Sequence, residues 1–114
     1  MLVKTCIRRN VTNGKEKDFF LQLRNLRIAA MDQQGYISGE TLICAENTQK
    51  VMVISKWETL EDWNNWKNNE KRIEINTRLD EFQDTPAICE PYVFSKHKAA
   101  AKLNFPLPLQ EQHL

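Results

Sequence analysis

Residues 53–82 read VISKWETLEDWNNWKNNEKRIEINTRLDEF, and the fold turns on how this stretch is parsed. Its first residues complete a run from Val51 to Trp57 in which Val51 and Val53 oppose Met52 and Ile54, so both faces are apolar, as in a well-covered strand. Thr59 then opens a helix, its hydroxyl placed to accept from a free N–H of the first turn. Asp62 stands three residues on, where a capping-box partner belongs, and Glu61 adds negative charge that suits a helix N-terminus. Leu60, Trp63 and Trp66 recur every three residues and are expected to line one stripe. Asn68-Asn69 interrupts or caps, and a second helical run follows with Ile75, Leu79 and Phe82 as its buried stripe and Ile73 beside it. All three tryptophans, Trp57, Trp63 and Trp66, fall within ten residues. Two readings of them stand. They pack as core, with Trp63 the most buried, or Trp57 and Trp66 wall a pocket for a flat, unsaturated small molecule.

Outward from this stretch the remaining elements follow. Residues 2–11, LVKTCIRRNV, alternate as a first strand, with Val3, Thr5, Ile7 and Val11 on one face and Leu2, Lys4, Cys6 and Arg8 on the other. Thr12-Asn13-Gly14 signals a turn. From Lys15 to Met31, Phe19, Leu23, Leu26 and Ala30 keep helical spacing, Phe20 and Ile28 broaden the stripe, and Arg24 and Arg27 fall towards water. Gly35 suits a left-handed helix end. Tyr36 to Ala45 forms a second strand, with a bulge or close backbone approach at Gly39. Glu46 to Gln49 is a short polar hairpin connection leading to the third strand at Lys50. Asp84-Thr85-Pro86 stops the last helix, and Ala87 to Ser95 closes the sheet. Pro91 has no N–H to give a ladder, which puts that strand at an edge or on a bulge.

The order β-α-β-β-α-β predicts an α+β, ferredoxin-like domain over residues 1–95. Two helices can cover only one side of a four-stranded sheet. The apolar residues on its other side then call for a second subunit packed sheet against sheet. Residues 96–114, KHKAAAKLNFPLPLQEQHL, carry Pro106 and Pro108, show no clear period and read as a tail.

Composition excludes several classes. Sixteen basic and fifteen acidic residues give +1 with no basic block, so no nucleic-acid partner is expected. No run of about eighteen apolar residues exists, and no membrane association is expected. Cys6, Cys44 and Cys89 are odd in number and widely spaced; three small, partly buried thiols in a reducing cytoplasm fit better than disulfides. Both histidines, His97 and His113, lie in the tail, so the body offers no His–Cys or Ser–His pair. No Cys or His pair has zinc spacing, and the three glycines sit in no phosphate-binding motif. What remains is an aromatic-lined space between sheet and helices, edged by Asn65, Asn76, Arg9 and Arg72 as candidate hydrogen-bond donors to a ligand oxygen.

Three features together resemble a known family: the glycine-led strand Gly35 to Leu42 (GYISGETL), the run Trp57 to Trp63 (WETLEDW), and Tyr92 in the closing strand. They resemble the antibiotic biosynthesis monooxygenase domain over residues 2–95. The resemblance implies a dimeric α/β barrel of two ferredoxin-like subunits. It also implies a homodimeric, cofactor-independent oxygenase of a small aromatic or quinol, or a non-oxidative binder of such a molecule on the same scaffold. In the quinol-type oxygenases a tryptophan closes the third strand, as Trp57 does here, but an asparagine four residues earlier is replaced by Val53. In the haem-degrading branch, Trp66 matches the helical tryptophan, whereas Ile7 stands for an asparagine and Asn76 for a histidine. With no evident axial ligand, haem is disfavoured and no cofactor is expected. The resemblance thus gives Trp57, Trp66 and Asn76 as catalytic candidates and Ile7, Arg9, Val53, Trp63 and Arg72 as ligand-binding ones. Trp57 is expected to be the most accessible of the tryptophans.

Overall fold

The computed structural model describes residues 2–94; Met1, Ser95 and the tail at 96–114 lie outside the described residues. The elements run β1 (Val3–Asn10), α1 (Glu16–Met31), β2 (Tyr36–Ile43), β3 (Lys50–Trp57), α2 (Leu60–Lys67), α3 (Glu70–Asp80) and β4 (Ile88–Val93). The four strands form one antiparallel sheet in the order β2-β3-β1-β4. This is the ferredoxin-like topology, with the second helical unit split at Asn68-Asn69. Pro91 sits on β4, an edge strand, where its missing N–H costs no ladder bond.

The helices cover one face of the sheet. On that face Val3, Ile7, Val51, Val53 and Trp57 meet Phe19, Leu23, Leu26 and Ala30 of α1, Trp63 and Trp66 of α2, and Ile75 and Leu79 of α3. The buried residues of α1 advance by four, three and four positions. That keeps pace with about 3.6 residues per turn and so holds the stripe on one side. Leu60 breaks the expected stripe on α2, remaining 38% exposed. Each three-residue step falls about 60° short of a turn, so Leu60, Trp63 and Trp66 fan across the helix and cannot all face inward. Phe82 lies past the end of α3, in the following turn, half-buried against the core.

Local signals behave as their chemistry dictates. Thr59 caps α2 by accepting from the Asp62 N–H at 3.0 Å, and Asn69 caps α3 by accepting from the Lys71 N–H at 2.8 Å. Gly35 has φ +83°, and its carbonyl accepts from Glu58 N–H at 2.8 Å. An added Cβ there would fall 2.6 Å from the Asp62 Cβ, so only glycine lets the start of α2 rest on the turn between α1 and β2. That contact sets where the tryptophans meet the sheet.

Some boundaries differ from the sequence reading. β2 ends at Ile43 rather than Ala45, and its irregularity falls between Tyr36 and Ser38, ahead of Gly39. Gly39 instead provides a close approach, since a Cβ there would come 2.6 Å from the Tyr36 hydroxyl. Arg27, expected in water, is half-buried and donates to the Thr41 hydroxyl across the α1–β2 edge. Cys44 is exposed, whereas Cys6 and Cys89 are half-buried; all three are free. No helix among the described residues is long and apolar enough to cross a membrane.

Candidate functional site

Strand register brings the site together. On the covered face Trp57 lies opposite Val3 and Tyr36, Ser55 opposite Thr5 and Gly39, and Val53 opposite Ile7 and Thr41. Over these three rows, towards the β2 edge, sits a partly open cavity of about 40 Å³. Its floor is Ile7, Val53, Ser55, Trp57, Tyr36 and Gly39; its roof is Leu23, Leu26, Arg27 and Ala30 of α1, Trp63 and Trp66 of α2, and Arg72 of α3. A space of that size holds a few water molecules and no more.

Trp57 is the centre of the aromatic wall. Its ring meets Tyr36 edge-on at 5.4 Å, Trp63 at 6.0 Å and, nearly parallel, Trp66 at 6.5 Å. Such pairs contribute roughly 0.5–1.5 kcal/mol each beyond the area they bury. Trp57 is 0% exposed and Trp66 4%, so Trp57 is the most enclosed of the three and not the most accessible. The reason is its position: it ends a central strand beneath both α2 and the Tyr36 ring, while Trp66 lies one turn further along the helix. Its Nε1 donates to Ser55 Oγ at 3.0 Å, and that hydroxyl pairs with Thr5 in a buried contact. Trp57 is thus core and cavity wall at once.

Arg72, 8% exposed, extends from the first turn of α3 over the Trp63 ring, its guanidinium carbon 5.3 Å from the centroid. Its one side-chain hydrogen bond among the described residues is a long one, 3.4 Å from Nη1 to the Lys67 carbonyl. Its Nε and the Nε1 of Trp63 are both buried without a partner among the described residues. Burial pushes the arginine below its ordinary proton affinity. Both residues line the cavity, and its lining holds no carboxylate.

Of the residues expected at the site, Trp57, Trp63, Trp66, Ile7, Val53 and Arg72 line this one cavity. Arg9 and Asn76 do not. Arg9, 2% exposed, spends its two terminal nitrogens on Gln83 Oε1 and Asn76 Oδ1, both at 2.8 Å. Desolvation first, and the nearby Arg72 charge second, lower its pKa to about 10. Arg9 borders instead a groove of about 450 Å³ shared with Arg8, Leu42, Met52 and Ile88, around the end of the uncovered face. Asn65, on α2, is exposed and also lies away from the cavity. The sequence reading missed Arg27, Tyr36, Gly39 and Ser55. For Arg27 a signal existed, since it follows Leu26 directly and lies four residues after Leu23, at the border of the buried stripe.

No cluster of three or more His, Cys, Asp or Glu side chains able to hold a metal ion occurs among the described residues. What the fold and cavity define is a ferredoxin-like α+β domain with an aromatic chamber between sheet and helices. The family model for antibiotic biosynthesis monooxygenase matches residues 3–85, and the chain belongs to that family. No curated protein matches it. Among solved structures it is similar to a conserved protein from Methanosarcina mazei Go1, with TM-score 0.79 and 16% identity over 83% of this chain and 94% of that one. It is also similar to SnoaB from Streptomyces nogalater, described as a cofactor-independent oxygenase, with TM-score 0.75 and 13% identity over 83% and 94% of the two chains. A putative antibiotic biosynthesis monooxygenase from Nitrosomonas europaea gives TM-score 0.75 and 14% identity over 82% and 89%. At these identities the likeness is one of fold.

Proposed function

We propose that this protein is a cofactor-independent monooxygenase of a small aromatic or quinol substrate bound between sheet and helices, working as a cytoplasmic homodimer. The observation that carries the reading is the lining of the cavity, which must widen from about 40 Å³ to admit a ring: three tryptophans and Tyr36 for walls, with a buried, under-bonded arginine at its edge. The substrate supplies the electrons. A phenolic ring with one oxidisable C–H carbon takes one atom of O2 at that carbon and becomes a quinone. The other oxygen atom leaves as water with the two hydrogens lost by the ring. Trp57 and Trp66 hold the ring plane, and Arg72 stabilises the negative charge that develops on oxygen.

The test is oxygen uptake with a panel of phenols and hydroquinones, with no added metal or flavin and with autoxidation subtracted. One O2 consumed per quinone formed from a phenol supports the reading; saturable binding with no uptake removes it. A second reading, a binder without oxidative activity, is favoured by one observation. The cavity lining holds no His, Asp, Glu or Cys, and its hydroxyls are those of Tyr36 and Ser55 alone, so no side chain of ordinary pKa stands ready as a general base.

The dimer rests on the uncovered sheet face. There Leu42, Ile88, Tyr92 and Phe94 remain exposed around half-buried Cys6, Met52 and Ile54. Lys4 and Lys56 stand over the Phe94 ring at 5.8 and 5.7 Å, and Arg8 pairs with Glu90, so the face is apolar at its centre and charged around it. Light scattering at micromolar concentration should give close to twice 13.4 kDa, and a persistent monomer contradicts this assignment.

A further inference from the structure

We infer that the substrate of this site carries a carboxylate on its aromatic ring, that it reaches the cavity through the α1–β2 edge past Arg27, and that Arg27 and Arg72 receive its charge. The inference rests on the cavity being the ligand site, and it adds the chemical class of the ligand and its route.

The route comes from two neighbouring spaces. Outside the 40 Å³ cavity lies a groove of about 280 Å³ between α1 and β2, bordered by Phe20, Arg24, Met31 and Thr41. The two spaces share Leu23 and Arg27. Arg27 crosses from α1 to donate to the Thr41 hydroxyl on the edge strand, and its Nε lies 3.3 Å from where a Cβ on Gly39 would stand. The absence of a side chain at Gly39 therefore leaves room for the guanidinium. What separates groove from cavity is the buried Leu23 side chain and, beside it, the long, half-buried Arg27 held by a bond to a neutral hydroxyl. Releasing such a charge-assisted bond costs about 1.5–3 kcal/mol. Joined, the two spaces reach the lower end of the range of small-molecule sites, about 300 Å³.

The charge of the ligand comes from what lines this path. Arg24, Arg27 and Arg72 follow one another from groove to cavity, and neither lining contains Asp or Glu. Among the described residues the ion pairs are Arg8–Glu90 and Arg78–Glu74, so none of the three arginines is paired. Arg72, more than nine-tenths buried, also leaves Nε without an acceptor, as Trp63 leaves its Nε1. Buried cations are ordinarily paired. Here the missing partner is an acceptor with a full charge. A phenol is neutral at pH 7, whereas a carboxylate is ionised and its two oxygens match the guanidinium fork. Surrounding tryptophans and Tyr36 suit a flat ring as the remainder of the ligand.

A matched pair of probes tests this: 1-hydroxy-2-naphthoate and 1-naphthol, titrated against the full chain by tryptophan fluorescence and calorimetry. The expected result is at least tenfold tighter binding of the naphthoate, falling to near parity in Arg27→Gln and only partly in Arg27→Lys, which keeps the charge but loses the fork. Thr41→Val, which frees Arg27 from its hydroxyl, should raise the association rate of the naphthoate. Thermal melts of each variant confirm folding. Equal affinity for both probes overturns the carboxylate and leaves the aromatic site standing. A preference for the naphthoate that Arg27→Gln does not change overturns the role of Arg27. Binding of neither probe removes the ligand site itself, and this inference with it.

Discussion

Two arginines are buried between sheet and helices, Arg9 from β1 and Arg72 from α3, and their surroundings differ. Arg9 lies beneath the C-terminal end of α3, where the helix dipole favours a cation, and two side-chain oxygens at 2.8 Å take both of its terminal nitrogens. Arg72 stands in the first turn of the same helix, beside a cavity, with one carbonyl at 3.4 Å and an aromatic face for company. Each leaves its Nε unpartnered. Among the described residues Arg9 has two short bonds to side-chain oxygens, whereas Arg72 has one long bond to a carbonyl. A buried charge whose donors are used internally builds the fold; one whose donors stay free beside an empty space is available to a ligand.

Substitutions break or sharpen this contrast. Arg9→Ala removes two charge-assisted bonds and leaves a void, so chemical denaturation should show a loss of about 3 kcal/mol, with ligand affinity of the folded protein unchanged. Asn76→Ala should cost about 2 kcal/mol by the same measurement and leave turnover intact. A tenfold fall in turnover at unaltered stability would return Asn76 to the role of oxyanion donor. Arg72→Met keeps volume and sheds an incompletely paired charge. Its effect on stability should stay under about 1 kcal/mol in either direction, while binding of an anionic aromatic falls at least tenfold. If Arg72→Met unfolds the protein as Arg9→Ala does, the distinction between the two arginines is lost. The smallest effect concerns the thiols. Burial raises the Cys89 pKa above its ordinary value, against smaller opposing pulls from Arg72, Lys67 and Arg9. At any given pH in this range less of Cys89 is thiolate than of an unshifted thiol, and its thiolate appears only as pH climbs further, so iodoacetamide should label exposed Cys44 well before Cys89 between about pH 7 and 9.

Much of this was legible in the residues, because caps, turns and periodicity are local. Thr59, Asn69, Gly35 and the stripe Phe19–Leu23–Leu26–Ala30 each act through neighbours a few positions away. The aromatic wall was legible for the same reason, since Trp63 and Trp66 share a helix and Trp57 ends the strand before it. What sequence alone did not reveal depends on register between distant strands. Gly39 faces Ser55 only because β2 pairs with β3 past an irregularity near its start, and that pairing brings Arg27 over the site rather than into water. Arg9 and Asn76 are 67 positions apart, and no periodicity announces that they satisfy each other. Composition could name them as hydrogen-bonding residues; the fold decided that their bonds go to the protein.

The claim that most needs testing is that the aromatic chamber receives a ring. The three indole N–H groups give separate signals in a 1H–15N correlation spectrum, and all three tryptophans line the chamber. Titration with 1-naphthol, a plain aromatic without a carboxylate, should move the signals of Trp57, Trp63 and Trp66 along one common saturation curve, with the uncovered sheet face unaffected. Saturation that moves only amides of the uncovered face, or no movement of any indole at the limit of solubility, would contradict a ligand site between sheet and helices.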